Sequence, residues 1–231
     1  MERTVKANVE RIRDNIAGAA LRAGRQTSEI RLMAVTKTVE DNRIREAIEA
    51  GVDIVGENYV QEAKRKIEKL GRPIEWHMIG HLQTNKVKYA VRLFDMIQSL
   101  DRMDLAVELD RRSKVLGRPT RILIEVNTSE EKTKNGVSPE DTIDLIRNVA
   151  SLENLLVYGL MTMPPWFDDP EKARPYFTAL RELRDRVMEE QIEGVKMREL
   201  SMGMSADYHV AVEEGATIVR IGRGIFGERD S

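Results

Sequence analysis

A chain of 231 residues that is 41% hydrophobic and 33% charged has the composition of a folded globular protein, which excludes disordered and fibrous classes. Lys and Arg number 37 against 39 Asp and Glu, so the formal charge of −2 gives no global drive toward nucleic acid or anionic membrane. There is no cysteine, which excludes disulfide scaffolds, thiolate zinc sites and cysteine nucleophiles together.

The N-terminal MERTVKANVERIRDN is charged throughout and has no apolar core for secretion. No apolar run approaches the roughly 18 residues that a membrane helix needs, so a cytoplasmic protein is expected. Val5, Val9, Ile12, Ile16 and Ala20 recur at three- and four-residue steps and predict an N-terminal helix that stops near Gly24. Strands are then predicted at Arg31–Thr36, Val52–Gly56, Ile74–Ile79, Asp95–Gln98, Arg121–Asn127, Leu155–Met161, Glu199–Met202 and Thr217–Ile221. Helical patterns fill the gaps near 40–50, 58–70, 84–92, 101–116, 138–150, 171–190 and 205–214. Asp101 before MDLAVEL, and Ser138-Pro139-Glu140 before an apolar run, read as helix starts.

Strands alternating with helices imply parallel pairing, because each crossover returns the chain to the same end of the sheet. Eight such units, with the N-terminal helix added, predict a (β/α)8 TIM barrel at the small end of its size range; an open doubly wound sheet would share the same alternation. No linker, repeat or low-complexity stretch divides the chain, so residues 1–231 are expected to form one domain.

Chemistry in parallel α/β folds gathers at the carboxyl ends of strands. Those ends here read Lys37, Glu57-Asn58, Gly80-His81, Gln98-Ser99, Asn127, Met161-Thr162, Ser201 to Ser205 and Arg220 to Gly222, a mostly polar rim suited to a small molecule. Lys37 ends the apolar run LMAVTK, so its stem is expected to enter the barrel mouth, where burial favours the neutral amine needed for Schiff-base chemistry. A strand-end lysine that snorkels or forms an ion pair is the commoner arrangement. After the seventh and eighth strands, SMGMSAD and RIGRGIFG supply glycines and small hydroxyl residues, which let backbone amides approach a phosphate. Phosphate sites in such barrels are frequently built from these two loops. Arg220, within the last strand, needs an acceptor; Asp207 and Glu57 are the candidates inside the protein, and a ligand atom is the other.

Other features carry less. His77 and His81 stand four apart, but on a strand and turn rather than on one helix face, which disfavours a metal site. Lys64, Arg65, Lys66 and Lys69 interleave with Glu62 and Glu68 and read as a solvated helix face. No GxGxxG follows the first strand, and neither GxSxG nor a P-loop is present.

With these residues in hand, the sequence resembles the pyridoxal phosphate homeostasis family, a group of proteins that bind pyridoxal 5'-phosphate (PLP). The resemblance spans essentially the whole chain, in AVTK at 34–37, GENYVQE at 56–62, WHMIGHLQTNK at 76–86, GLMTM at 159–163, SMGMSAD at 201–207 and VRIGRGIFG at 219–227. It implies a barrel like the N-terminal domain of alanine racemase, the type III PLP fold. It further implies that Lys37 holds PLP as a covalent aldimine and that Asn58 lies beside the cofactor ring. Ser205 and the backbone of Met202, Gly203, Gly222 and Arg223 would hold the phosphate, Arg220 would face the pyridine nitrogen, and His81 would lie nearby.

An arginine at the pyridine nitrogen leaves that nitrogen unprotonated and weakens the cofactor as an electron sink. Racemases with this barrel carry a second domain that supplies a tyrosine base, whereas here the last predicted strand ends at Ile221 and the chain at Ser231. The expectation is therefore a PLP carrier or reservoir, monomeric, passing cofactor to PLP-dependent apo-enzymes and touching neither nucleic acid nor membrane. An amino-acid racemase and a lysine-dependent aldolase are the alternatives, and Lys134 is a second lysine that could take the cofactor.

Overall fold

The computed structural model describes residues 4–129, 131 and 135–227; Lys134 lies outside them. Eight parallel strands close a barrel in the order of the sequence, β1 to β8, with β1 pairing β8. They are β1 Arg31–Val35, β2 Ile54–Glu57, β3 Glu75–Met78, β4 Met96–Leu100, β5 Thr120–Glu125, β6 Leu155–Met161, β7 Glu199–Ser201 and β8 Ile218–Ile221. The closed ring, and not the open sheet, is the solution this alternation takes.

The helices are α1 Val5–Arg22, α2 Asp41–Glu49, α3 Val60–Leu70, α4 Val87–Leu93, α5 Met103–Leu116, α6 Thr142–Ala150, α7 Arg174–Glu189, α8 Tyr208–Glu213 and α9 Arg223–Phe226. In α1 the apolar stripe is buried as its spacing predicts, with Val5, Val9, Ile12 and Ile16 under 4% exposed. Thr4 caps its start, its hydroxyl accepting from Ala7 N–H at 3.2 Å, and Gly24 follows its end with φ of +65°. This stripe packs on the last βα unit, where the Asn8 side chain donates to Ile225 O at 3.0 Å.

Two helix starts fall later than expected. Asp101 does not cap α5; its carboxylate takes bonds from Arg102 at 2.8 Å and from Gly136 N–H at 3.4 Å. Ser138 opens a turn rather than a helix: its hydroxyl accepts from Asp141 N–H at 3.1 Å and donates to Asp141 Oδ2 at 2.8 Å. Helix α6 then begins at Thr142. The four-residue α9 was not anticipated; it follows Gly222 directly after β8.

Most of the apolar core lies between strands and helices. Inside the barrel, by contrast, two small apolar clusters, Met33–Ile54–Ile79–Ile218 and Met96–Leu123–Met161, share the space with polar side chains. Where the strands begin, Arg31 of β1 reaches Glu75 of β3 at 2.9 Å and Glu199 of β7 at 2.8 Å, and Arg121 of β5 reaches Glu75 at 2.7 Å. None of these strands adjoin, so the four side chains meet across the interior as one layer from alternate strands. Chemistry is left to the opposite mouth.

Candidate functional site

At the carboxyl ends of the strands lies a cavity of about 310 Å³, lined by Lys37, Asn58, Ser205, Arg220, Gly222 and Arg223 among polar groups. Val35, Ile79, Met163, Trp166 and Met204 supply apolar wall. This is the small end of the range for ligand pockets, the scale of one substituted ring. Six residues expected from the sequence thus converge, from the ends of four strands, β1, β2, β7 and β8.

Lys37 follows β1 and is half-buried rather than enclosed, so its amine meets both cavity and solvent. The turn that presents it is fixed from below by Lys66, which corrects the reading of Lys66 as a solvated residue. Lys66 is 0% exposed. Its ammonium donates to Glu57 Oε1 and Glu62 Oε1, both at 2.7 Å, and to Thr36 O at 2.5 Å. Glu62 Oε1 also accepts Thr38 N–H at 2.7 Å, holding Thr38 in a left-handed conformation with φ of +61°. Burial pushes the Glu57 carboxyl up, against the pull of the Lys66 ammonium. The backbone on both sides of Lys37 is therefore tied to one buried ionic cluster. A signal existed: Val60, Ala63 and Lys66 fall at three-residue steps on the buried face of α3.

Asn58 is held where strand ends crowd together. A Cβ on Gly80 would stand 2.5 Å from Asn58 O and 2.7 Å from its Cα, so only glycine lets the β3 end approach. His81 is exposed and lies outside the cavity; it lines a neighbouring depression that it shares with Asn58, Tyr59 and Lys86.

The phosphate-type loops meet where Gly224 N–H donates to Ser205 Oγ at 3.1 Å. Asp207 Oδ1 accepts Met204 N–H at 2.6 Å and closes the turn ahead of α8; burial raises its pKa. Met202 and Gly203 stand behind the wall and do not line the cavity. Met202 N–H is spent on Ile218 O at 3.1 Å, and Gly203 O accepts Arg220 N–H at 3.0 Å. Gly203 has φ of +90°, and a Cβ there would come within 2.6 Å of Ala211 Cβ. Its role is to shape the loop that brings Ser205 forward.

Arg220 is 3% exposed and faces the cavity floor. Neither Asp207 nor Glu57 binds it directly: Nη1 donates to Ser201 Oγ and Nη2 to Thr162 O, each at 2.7 Å. Burial lowers its pKa to about 10, opposed by the more distant charges of Asp207 and Glu125. Glu125 itself, buried at the end of β5, is raised to about 7, by burial first and then by Asp101. Gln98, read as a rim residue, lies inside β4 and points into the barrel, where it joins His77 and Ser201.

A closed parallel barrel with a lysine, two small-residue loops and a buried arginine at its carboxyl mouth is the class defined by the alanine racemase N-terminal domain, and the model of that family matches residues 7–230. A pyridoxal phosphate homeostasis protein of Aquifex aeolicus is 47% identical over 222 residues, covering 96% of each chain. Among solved structures, an unknown protein from Bifidobacterium adolescentis superposes with a TM-score of 0.92 at 37% identity, covering 96% of this chain and 94% of that one. PipY of Synechococcus elongatus PCC7942 with PLP bound superposes with a TM-score of 0.80 at 35% identity, covering 92% and 100%. The chain belongs to the pyridoxal phosphate homeostasis family.

The cavity suits PLP on its own chemistry. One amine stands on one wall, a hydroxyl bonded to a backbone N–H of the opposite loop stands on another, and a guanidinium lies on the floor between apolar side chains.

Proposed function

We propose that the protein binds PLP at this mouth and holds it in reserve for other proteins, with residues 1–231 acting as one PLP-binding unit in the cytoplasm. The observation that carries this is the convergence of Lys37, Ser205 and Arg220 on one cavity of about 310 Å³. PLP supplies an aldehyde that amines capture reversibly. Lys37 Nζ is the amine positioned to hold it. Ser205 and the backbone at Gly222 and Arg223 would bind its phosphate, and Asn58 would flank the ring. Arg220, a donor-only group, would face the ring nitrogen and leave that atom an acceptor. In passage to another amine, the incoming nitrogen would replace that of Lys37 on the aldehyde carbon, and the two protons it gives up would leave the lysine a free amine.

Weak catalysis follows from what faces Lys37. Of the side chains lining the cavity, Lys37 and Asp207 are the proton-exchanging groups, and Asp207 is already committed to Met204 N–H. No tyrosine is among the lining residues. Two-base exchange at a substrate Cα needs a second base within hydrogen-bond reach.

The test is an absorption spectrum of the purified protein with PLP, before and after borohydride, with the modified lysine located by peptide mass. A chromophore fixed at Lys37, and lost in Lys37→Ala, is expected. Absence of any chromophore after PLP is added sinks the proposal. Rapid deuterium exchange at the Cα of an added amino acid would favour the racemase.

A further inference from the structure

Beneath Arg220 a chain of hydrogen bonds runs down the barrel interior to the far mouth. Ser201 Oγ, which accepts from Arg220 Nη1, lies 2.7 Å from Gln98 Oε1. Gln98 Nε2 lies 2.8 Å from His77 Nδ1, and His77 Nε2 lies 3.1 Å from Glu75 Oε2. His77, Gln98 and Ser201 are each 0% exposed, so the links between them are shielded from water, while Glu75 at the chain's end is half-buried. Glu75 ends the chain in the charged layer where the strands begin, held by Arg31 and Arg121.

The two ends fix the direction of every bond. A guanidinium only donates and a carboxylate only accepts. Ser201 Oγ accepts from Arg220 and has one proton to give, for which Gln98 Oε1 at 2.7 Å is the acceptor. The amide oxygen of Gln98 therefore faces Ser201, and its NH2 faces His77. An NH2 group cannot accept, so His77 Nδ1 carries the lone pair and the ring proton sits on Nε2, donating to Glu75. Turning the amide over would take from the Ser201 proton its Gln98 acceptor and require a proton on His77 Nδ1. Neutral His77 would then present a bare nitrogen to the Glu75 carboxylate. Burial disfavours the charged imidazole that would escape this, and the hydrogen bond from His77, followed by those from arginine, holds Glu75 well below the usual carboxylate range.

We propose that Gln98, His77 and Glu75 are positioning residues for Arg220: with Ser201 they form a one-way donor chain that aims the guanidinium at the cavity, where its remaining N–H groups meet the ring nitrogen of bound PLP. The chain ties Nη1, and Thr162 O ties Nη2, so the guanidinium plane is fixed before any ligand arrives. Glu75 anchors the chain from the other end of the barrel. The proposal rests on the PLP reading for the identity of the acceptor, but the state of the chain is measurable without cofactor.

The test has two arms. In cofactor-free protein labelled with 15N, His77 is expected to show an unprotonated Nδ1 and a protonated Nε2, and the Arg220 Nη groups to give separate, slowly exchanging signals. Gln98→Leu should merge the Arg220 signals. The near-isosteric Gln98→Glu keeps the acceptor for Ser201, so it should retain them while placing a proton on His77 Nδ1. In the second arm, PLP labelled with 15N at its ring nitrogen is added. Gln98→Leu should shift that signal and weaken PLP retention roughly tenfold, the scale of one lost buried hydrogen bond. Met96→Leu, an interior change outside the chain, should do neither. Should Gln98→Leu fail to fold, Ser201→Ala breaks the same chain with a smaller change. A protonated His77 Nδ1 in the unaltered protein overturns the proposal, as do unchanged Arg220 signals or an unchanged ring-nitrogen signal in the broken chain. If the unaltered protein takes up no PLP, the cofactor reading fails, and the first arm still decides the chain.

Discussion

Lys66 Nζ lies 2.7 Å from Glu57 Oε1, and neither side chain is exposed to solvent. The same ammonium bonds Thr36 O, one residue before Lys37, so a buried ion pair and the presentation of Lys37 at the cavity are one structural unit. Glu57 Oε2 is buried without a hydrogen-bond partner, so its carboxylate depends on Lys66 and on the Thr36 hydroxyl at 2.5 Å.

Removing one member of a buried pair strands the other. Lys66→Met should destabilise the fold by about 3–5 kcal/mol in denaturant unfolding, and adding Glu57→Gln should return much of that loss. Strict additivity of the two changes would show that the pair is not coupled. Lys66→Met should also slow capture of PLP by Lys37, because Thr36 O and Glu62 lose their common donor.

Gly80→Ala should disturb Asn58 before it disturbs the barrel. The added methyl would meet backbone atoms at 2.5 and 2.7 Å, which cannot yield as a flexible side chain could. An overpacking cost of about 1–3 kcal/mol is expected, together with weaker PLP binding measured by absorption titration.

Ser205→Ala removes the hydroxyl that joins the two glycine-bearing loops. PLP affinity should fall about tenfold for the loss of a hydrogen bond to a charged phosphate, while unfolding free energy changes by about 1 kcal/mol or less. Equal affinity in the variant would place the phosphate elsewhere.

Glu125 gives the protein a pH dependence of known sign. Its folded pKa of about 7 stands above the ordinary glutamate value of 4.5, so between those values the folded state keeps a proton that the unfolded chain has lost. Its contribution to stability is fully present below about 4.5 and is lost as the pH rises through about 7. Glu125→Gln should therefore be close to neutral at acid pH and stabilising by on the order of 3 kcal/mol above pH 7, as read from thermal unfolding at both pH values. A variant whose Tm tracks the unaltered protein at every pH would refute this.

Local patterning made the barrel and most of its rim legible. Apolar runs of strand length, broken by amphipathic segments, are dictated by what each element must bury, and Lys37, Ser205, Arg220 and Gly222 follow from standing just past or within such runs. The family resemblance groups the backbone of Met202 and Gly203 with Ser205 as phosphate holders. Which amides of that loop are free depends on pairing with β8, and Met202 gives its N–H to Ile218. His81 shares a motif with residues near the cavity, yet the chain turns its side chain into the next depression.

By itself, the sequence determined the alternating elements, the parallel sheet and the set of residues gathered at one end of it, because hydrophobic period and strand ends are properties of neighbours along the chain. Only the tertiary structure decided which charges are buried. Lys66 lies among charged neighbours in sequence, but the face of α3 that packs on the barrel places it against Glu57. Gln98 and His77 sit on adjacent strands, and barrel closure brings them to Ser201 and Arg220 from the opposite wall. A buried polar group is stable only when partners from distant segments satisfy it, and those partners exist only once the ring has closed.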